Sequence, residues 1–394
     1  MAFAFVNGQV MTEAGLETGL AVLVDTGRIA AILPQAEVGP GIRRLDLDGG
    51  LLLPGFIDIQ VNGGGGALFN DSPSPESIAA IGAAHRRFGT TGFLPTLISD
   101  ELAVVGAAME AARAAMATAS PGVLGVHIEG PFLNTAQKGI HDATKFRRMD
   151  EDSLALLTSL ADGRTLVTLA PEVAGAAMIQ RLAEGGVIVS AGHTNASYAQ
   201  TLAGLDAGMT GFTHLFNAMS PLTSREPGVV GAALYDSRSW CGVIVDGRHV
   251  DPVVLKLALR CRPLERFMLV TDAMPCVGSD KKTFTLQNKT ITARDGACFD
   301  DRGRLAGSDL DMAKAVRNAV DLLGLSLAEA SRMASANPAE FLGLGAELGR
   351  IALGYRADLV LLDETLQVRR VWIGGVSEEE RPAAGAARLA AGDG

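Results

Sequence analysis

Five of the six histidines in this chain sit in short segments where an apolar run ends in polar, titratable groups. The segments are Val126-His127-Ile128-Glu129-Gly130-Pro131, Lys138-Gly139-Ile140-His141, Ala191-Gly192-His193-Thr194-Asn195, Thr213-His214-Leu215-Phe216-Asn217 and Asp246-Gly247-Arg248-His249. A sixth segment, Leu269-Val270-Thr271-Asp272-Ala273, ends in a carboxylate. A hydrolytic divalent metal needs about three protein ligands and one open position for water. Glu129, His193 and His214 end three separate runs and would form a His2Glu set if all three converge. Their spacing is too long for a helical H-E-x-x-H site. Singly, each histidine is as readily a hydrogen-bonded core residue; three at strand ends shift the weight toward ligands.

Asp272 could cap the following segment. Pro275 and the polar loop Gly278-Ser279-Asp280 make that less attractive than a general acid/base role. His141 could hydrogen-bond a substrate carbonyl and hold a developing oxyanion. His249, after Asp246-Gly247-Arg248, and Arg225, in a loop with two prolines, could clamp an anionic group such as a phosphate. His127 stays a core residue, because its neighbour Glu129 is the better ligand. His85, on a helix with charged neighbours, receives no role.

Something must carry these groups to one place. Eight apolar runs predict strands over 56–61, 92–97, 124–128, 166–170, 187–191, 211–215, 241–245 and 267–271. Helical stretches separate most of them, at 75–88, 101–117, 173–183, 198–207 and 252–260. This alternation predicts a (β/α)8 barrel, whose strand C-terminal ends build active sites. An open doubly wound sheet is the alternative. Asn62-Gly63-Gly64-Gly65-Gly66 follows the first strand but lacks the G-x-G-x-x-G spacing, and it is read as a flexible active-site loop. Short strand-like runs near both termini predict one small β domain. The expected division is 1–54 and 345–376 for that domain, 55–344 for the barrel and 377–394 for a flexible tail rich in charge, Ala and Gly.

The bulk numbers bound the partners. A chain of 394 residues with 48% hydrophobic content can bury a large core. A net charge of −10 without a basic run argues against nucleic acid. Four cysteines without a C-x-x-C pair fit a reduced, cytoplasmic setting. No apolar run approaches the ~20 residues of a membrane span, and the N-terminus does not read as a signal peptide.

Taken together in order, the motifs resemble those of N-acetylglucosamine-6-phosphate deacetylases of the amidohydrolase superfamily. The resemblance rests on His127–Phe132, Lys138–His141, Gly192–Ala196, Thr213–Met219, Asp246–His249 and Leu269–Ala273, and runs to about Gly375. It implies an amidohydrolase barrel with a small β domain, usually a homodimer. By motif position it implies that Glu129, His193 and His214 bind the metal and that Asp272 is the acid/base. Ile140 and His141 would contact the sugar and acetamide. Asn217, Ala218, Arg225 and the Asp246–Arg248–His249 turn would contact the sugar phosphate, some across the dimer. Leu305, Ala306 and Gly307 would cover the acetyl group.

The wider superfamily carries His-x-His at the end of the first strand; here Gln60 and Asn62 stand there. Neutral amides are poor ligands for a transition metal, so a single divalent ion is expected. Zinc is the first choice, with iron or another divalent ion able to use the same ligands. The expected reaction is deacetylation of N-acetyl-D-glucosamine 6-phosphate. Its rivals are the galactosamine epimer, a cyclic-amide hydrolase and a silent binding barrel. The strand-four stretch Leu169-Ala170-Pro171-Glu172 offers no lysine to bridge two metals, which counts against the cyclic-amide reading.

Overall fold

The structure is a computed structural model that describes residues 2–118 and 120–380. The foreseen tail lies mostly outside them. Val376–Ser377 form a strand and Glu378–Glu380 a 3-10 turn.

The chain divides into two compact units. One comprises the described residues up to Gly55 and from Arg350 on, and the other is Phe56–Gly349. The first holds a four-stranded and a six-stranded sheet, and the larger one mixes strands from both ends of the chain. Leu51–Pro54 pairs parallel with Gln9–Thr12 on one side and antiparallel with Leu359–Leu362 on the other. Phe5 and Trp372 meet edge to face at 4.8 Å inside a core that also contains Val10, Val22, Leu52 and Leu359. That geometry favours aromatic pairs beyond their buried area.

The second unit contains eight parallel strands: β1 (Phe56–Val61), β2 (Thr90–Ile98), β3 (Gly125–Glu129), β4 (Arg164–Leu169), β5 (Ile188–Ala191), β6 (Gly211–Phe212), β7 (Trp240–Val243) and β8 (Phe267–Leu269). They lie side by side in chain order, from β1 at one end to β8 at the other. The isolated parallel bridge Val61↔Ala273 links the two ends. All nine residues of β2 are buried. Near-continuous apolar strands are what a parallel sheet covered on both faces requires. The flanking helices start where the chemistry says they should. Ser74 accepts from the Ser77 N–H, and Pro75 fills the first turn of Pro75–Arg86.

Three expectations change. The stretch 211–215 is strand only at Gly211–Phe212, because His214 turns to φ +35°. The helix foreseen over 173–183 is two helices, Pro171–Ala174 and Ala176–Glu184, broken at Gly175. After β8 the chain builds a four-stranded antiparallel sheet: β9 (Thr283–Leu286), β10 (Lys289–Arg294), β11 (Ala297–Phe299) and β12 (Leu305–Ser308). None of these four strands was among the expected ones.

Candidate active site

Glu129 ends β3, and its register opposite Ile98 on β2 and Thr168 on β4 puts it at the C-terminal edge of the sheet. His193 and His214 follow β5 and β6 by two residues each. Both have left-handed backbones, φ +48° and +35°, which turn them out of the strand direction. The result is a tight triangle. His193 Nε2 lies 3.2 Å and His214 Nε2 3.0 Å from Glu129 Oε1, and the two Nε2 atoms are 3.1 Å apart. A tetrahedral ion with bonds of ~2.0–2.1 Å has ligand-to-ligand edges of about 3.4 Å, so the three atoms fit one small divalent ion. The tautomer of His193 fits as well. Its Nδ1 sits 2.9 Å from the Gln137 carbonyl and must donate there, which leaves a lone pair on Nε2. Burial alone would raise Glu129, but the adjoining His193 and His214 rings outweigh it and hold the carboxyl well below its usual range. Among the described residues this is the one group of three or more such side chains close enough to hold an ion.

Asp272 follows β8, also in a left-handed conformation, φ +52°. Asn62 Nδ2 donates to its Oδ1 at 2.7 Å, and Gln60 Nε2 to the same oxygen at 3.2 Å. Gln60 Nε2 also lies 3.3 Å from both Glu129 oxygens. Gln60 therefore bridges the two carboxylates, and Asn62 holds Asp272 through a second donor. Burial, then the charge on Glu129, push Asp272 up to about 6. A carboxyl so placed is ionised at neutral pH yet basic enough to accept a proton.

His141 reaches the same cavity from the loop after β3. Ser99 approaches its Nδ1 twice, with the hydroxyl at 2.8 Å and the main-chain N–H at 3.4 Å. Because a main-chain N–H can only donate, the ring proton belongs on Nε2. Burial, then the neighbouring His193, hold the imidazole well below its usual range, so His141 is a neutral donor.

These groups share one cavity of about 370 Å³. Ile140, Asn217, Ala218, His249, Leu305 and Gly307 also line it. Ala306 is buried behind that wall. Asp246 stands behind His249, with its Oδ2 at 2.6 Å from Nδ1. Arg225 and Arg248 do not line the cavity: Arg225 is exposed, and Arg248 pairs at 3.9 Å with the exposed Asp295. His127 is a core residue, with Nε2 at 2.7 Å from Thr168 Oγ1 and Nδ1 at 3.3 Å from Thr96 Oγ1. His85 is fully buried and its Nε2 meets the Gly63 carbonyl at 2.9 Å. Gly63 and Gly64 of the glycine run are buried while Gly65 and Gly66 are exposed, and none of the four lines the cavity, which departs from the reading as a flexible active-site loop. Gly63–Gly64 pair with Ala67–Leu68, and a Cβ on Gly63 would sit 2.5 Å from the Ala67 carbonyl.

Several wall residues were not foreseen, among them Ile98, Gln137, Met274 and Arg304. One signal was present in Lys138-Gly139-Ile140-His141. Gly139 has φ +54° and packs against the His193 ring, where a Cβ would come within 3.2 Å. Glycine alone takes that backbone without cost and leaves the ring its room. Ser99 left no sequence trace, since a serine after an apolar run has many uses.

Comparison with known proteins agrees with this geometry. The profile of the amidohydrolase family matches residues 51–377. The N-acetylgalactosamine-6-phosphate deacetylase of Shewanella sp. (strain ANA-3) is 43% identical over 371 residues, 94% of either chain. The N-acetylglucosamine-6-phosphate deacetylase of Haemophilus influenzae is 35% identical over 96% of this chain and 100% of its own. Among solved structures, the N-acetylglucosamine-6-phosphate deacetylase of Pasteurella multocida superposes with a TM-score of 0.93 at 36% identity, covering 96% of this chain and 100% of that one. A point mutant of the Mycobacterium smegmatis enzyme, in complex with N-acetyl-D-glucosamine 6-phosphate, superposes at 0.88 with 33% identity over 95% of this chain and 99% of its own. With barrel, donor set and relatives in agreement, the chain belongs to the amidohydrolase family, among its amino-sugar-phosphate deacetylases.

Proposed function

We propose that the chain hydrolyses the N-acetyl group of N-acetyl-D-glucosamine 6-phosphate, giving D-glucosamine 6-phosphate and acetate. The observation that carries this reading is the convergence of the Glu129–His193–His214 triangle, Asp272 and His141 on one cavity. Glu129, His193 and His214 would hold one divalent ion, zinc by preference for two imidazoles and a carboxylate. Such an ion supplies Lewis acidity and makes water ionisable near neutral pH. Asp272 accepts the proton of the attacking water, then returns it to the amide nitrogen so that the amine can leave. His141 Nε2–H faces the carbonyl oxygen as charge develops on it. Gln60 and Asn62 hold Asp272 in place between these steps. His249, backed by Asp246, with Asn217 and Ala218 binds the phosphate, and Leu305 with Gly307 encloses the acetyl group.

The surface supports a homodimer. Leu222, Tyr235, Val253 and Leu257 are 57%, 81%, 63% and 55% exposed on neighbouring elements. Apolar side chains this exposed are suited to burial against a second copy. Arg225 stands three residues after Leu222, and on this reading it serves the partner's phosphate site. No helix among the described residues is long and apolar enough to cross a membrane, and the free cysteines favour the cytoplasm.

Acetate release from N-acetylglucosamine 6-phosphate, with the unphosphorylated sugar as control, tests the reading. Turnover should require the phosphate; equal turnover of both sugars would remove the roles given to His249 and Arg225. A second reading has its own support. The Shewanella relative, at 43% identity, is named for the galactosamine epimer. Comparing kcat/KM on the two 6-phosphates decides between them.

A further inference from the structure

Asp58 lies on β1, two residues before Gln60, and is fully buried, as are Thr271 and Ser308. Neither Asp58, Thr271 nor Ser308 lines the cavity. A buried carboxylate is costly unless its oxygens are hydrogen-bonded. Those of Asp58 are. Oδ1 accepts from the Gln60 N–H at 3.2 Å and from the Thr271 N–H at 3.3 Å, and Oδ2 accepts from the Thr271 hydroxyl. These bonds cross from β1 to the chain just after β8, the two ends of the strand order, where the Val61↔Ala273 bridge also joins them.

The other groups of Thr271 are occupied too. Its hydroxyl oxygen accepts from the Ala273 N–H at 3.2 Å, and its carbonyl accepts from Ser308 Oγ at 2.6 Å. Ser308, at the end of β12, also donates its N–H to the Asp272 carbonyl at 2.9 Å and accepts from the Met274 N–H at 3.0 Å. Asp272 itself has φ +52°. A non-glycine residue keeps such a conformation only where its surroundings over-determine it. Thr271, Asp272 and Ala273 are held on both flanks by these bonds. Asp58 adds a second link, because the Gln60 whose N–H it holds donates its side chain to Asp272.

We infer that Asp58, Thr271 and Ser308 are positioning residues that fix the direction of the Asp272 carboxylate. The inference rests on the acid/base role given to Asp272 above. The clamp acts through main chain, so it governs turnover rather than substrate or metal binding. It joins β1, the chain after β8 and the strand that carries Leu305 and Gly307 over the cavity. A change at any of the three therefore reaches Asp272 without touching substrate.

The test measures kcat, KM and bound metal for the full chain with N-acetylglucosamine 6-phosphate. The variants are Asp272→Asn, Thr271→Val, Thr271→Ser and Ser308→Ala. Thr271→Val keeps the shape and removes the hydroxyl's bonds to Asp58, the Gln60 carbonyl and the Ala273 N–H. It should lower kcat on the order of ten- to a hundredfold with KM within about twofold. Metal content should stay at the wild-type value. Thr271→Ser, which keeps the hydroxyl, should restore most of the rate. Should Thr271→Val fail to fold, Ser308→Ala carries the same expectation. Wild-type kcat in Thr271→Val, or in Ser308→Ala should that variant stand in, overturns the clamp, as does joint loss of kcat, substrate affinity and metal. If Asp272→Asn turns over normally, the acid/base assignment falls and the clamp with it. If Asp272→Asn is inactive while Thr271→Val is normal, only the clamp falls.

Discussion

His249 Nδ1 lies 2.6 Å from Asp246 Oδ2, and the two side chains are 5% and 1% exposed. Two main-chain N–H groups, of Arg248 and His249, also donate to Asp246 Oδ1, each at 2.8 Å. The carboxylate thus fixes the turn and the ring together, and it directs His249 Nε2 toward the cavity. Replacing Asp246 with alanine leaves the imidazole unheld. A hydrogen bond to a charged group contributes about 1.5–3 kcal/mol, so KM for the phosphorylated sugar should rise roughly ten- to a hundredfold. The unphosphorylated control should change far less. Steady-state kinetics on both sugars checks this, and parallel losses would place the turn outside phosphate recognition.

Asp58 gives a pH signature. Burial pushes its carboxyl up to about 7 from an ordinary 3.8, against the pull of Thr271 and Gln60. The folded state therefore binds this proton more tightly than the unfolded chain does. The sign follows: stability from this group is greatest below about pH 4 and is lost progressively as pH rises to about 7. Asp58→Asn cannot titrate. Its stability relative to wild type should improve with rising pH across that window, by about a few kcal/mol at most. Denaturant unfolding at pH 4, 5.5 and 7 reads the trend, and a constant difference would contradict it.

One ion per chain is the expected metal content, because Gln60 and Asn62 bind the carboxylates instead of a second ion. A ligand present at about a thousand times its Kd stabilises a fold by about 4 kcal/mol, so chelation should lower Tm by several degrees and abolish turnover. His193→Ala should lose the ion and show little further response to chelator. Two ions per chain by elemental analysis would overturn the role given to the amides.

His141 should act on the rate. Removing one oxyanion donor typically costs about 10²- to 10³-fold in kcat, and His141→Ala should fall in that range with metal content unchanged. Ser99→Ala should do less, on the order of tenfold, because the Ser99 N–H still points at Nδ1. A larger loss in Ser99→Ala than in His141→Ala would reverse the assignment.

Much of this was legible in the chain. An apolar run ending in His or Glu marks a buried strand emerging at a site, and the eight-strand order followed from those runs. What stayed hidden has physical causes. β9 and β10 are half exposed and β11 is only three residues long, so their apolar signal is weak; the Asp295-Gly296 turn between β10 and β11 was the available cue. Arg225 and Arg248 carry phosphate-binding chemistry that is visible in sequence, but the direction of a side chain is not, and neither arginine lines this chain's cavity. The clamp on Thr271 was beyond reach, since no local pattern shows that a carboxylate at 58 meets a threonine at 271. His85, beside Arg86 and Arg87, received no role, and its ring turns inward to the Gly63 carbonyl.

The left-handed backbones of His193, His214 and Asp272 carry a design consequence. Each such conformation costs a non-glycine residue on the order of 1 kcal/mol or more, which glycine would not incur. The fold therefore holds local backbone strain at the residues proposed to hydrolyse an amide, and the ion proposed at His193 and His214 offsets part of it. Glycine at these positions would relieve the strain and lose that ion together with the chemistry. Library designs for stabilisation should hold those three codons fixed and seek their gains in the helices outside.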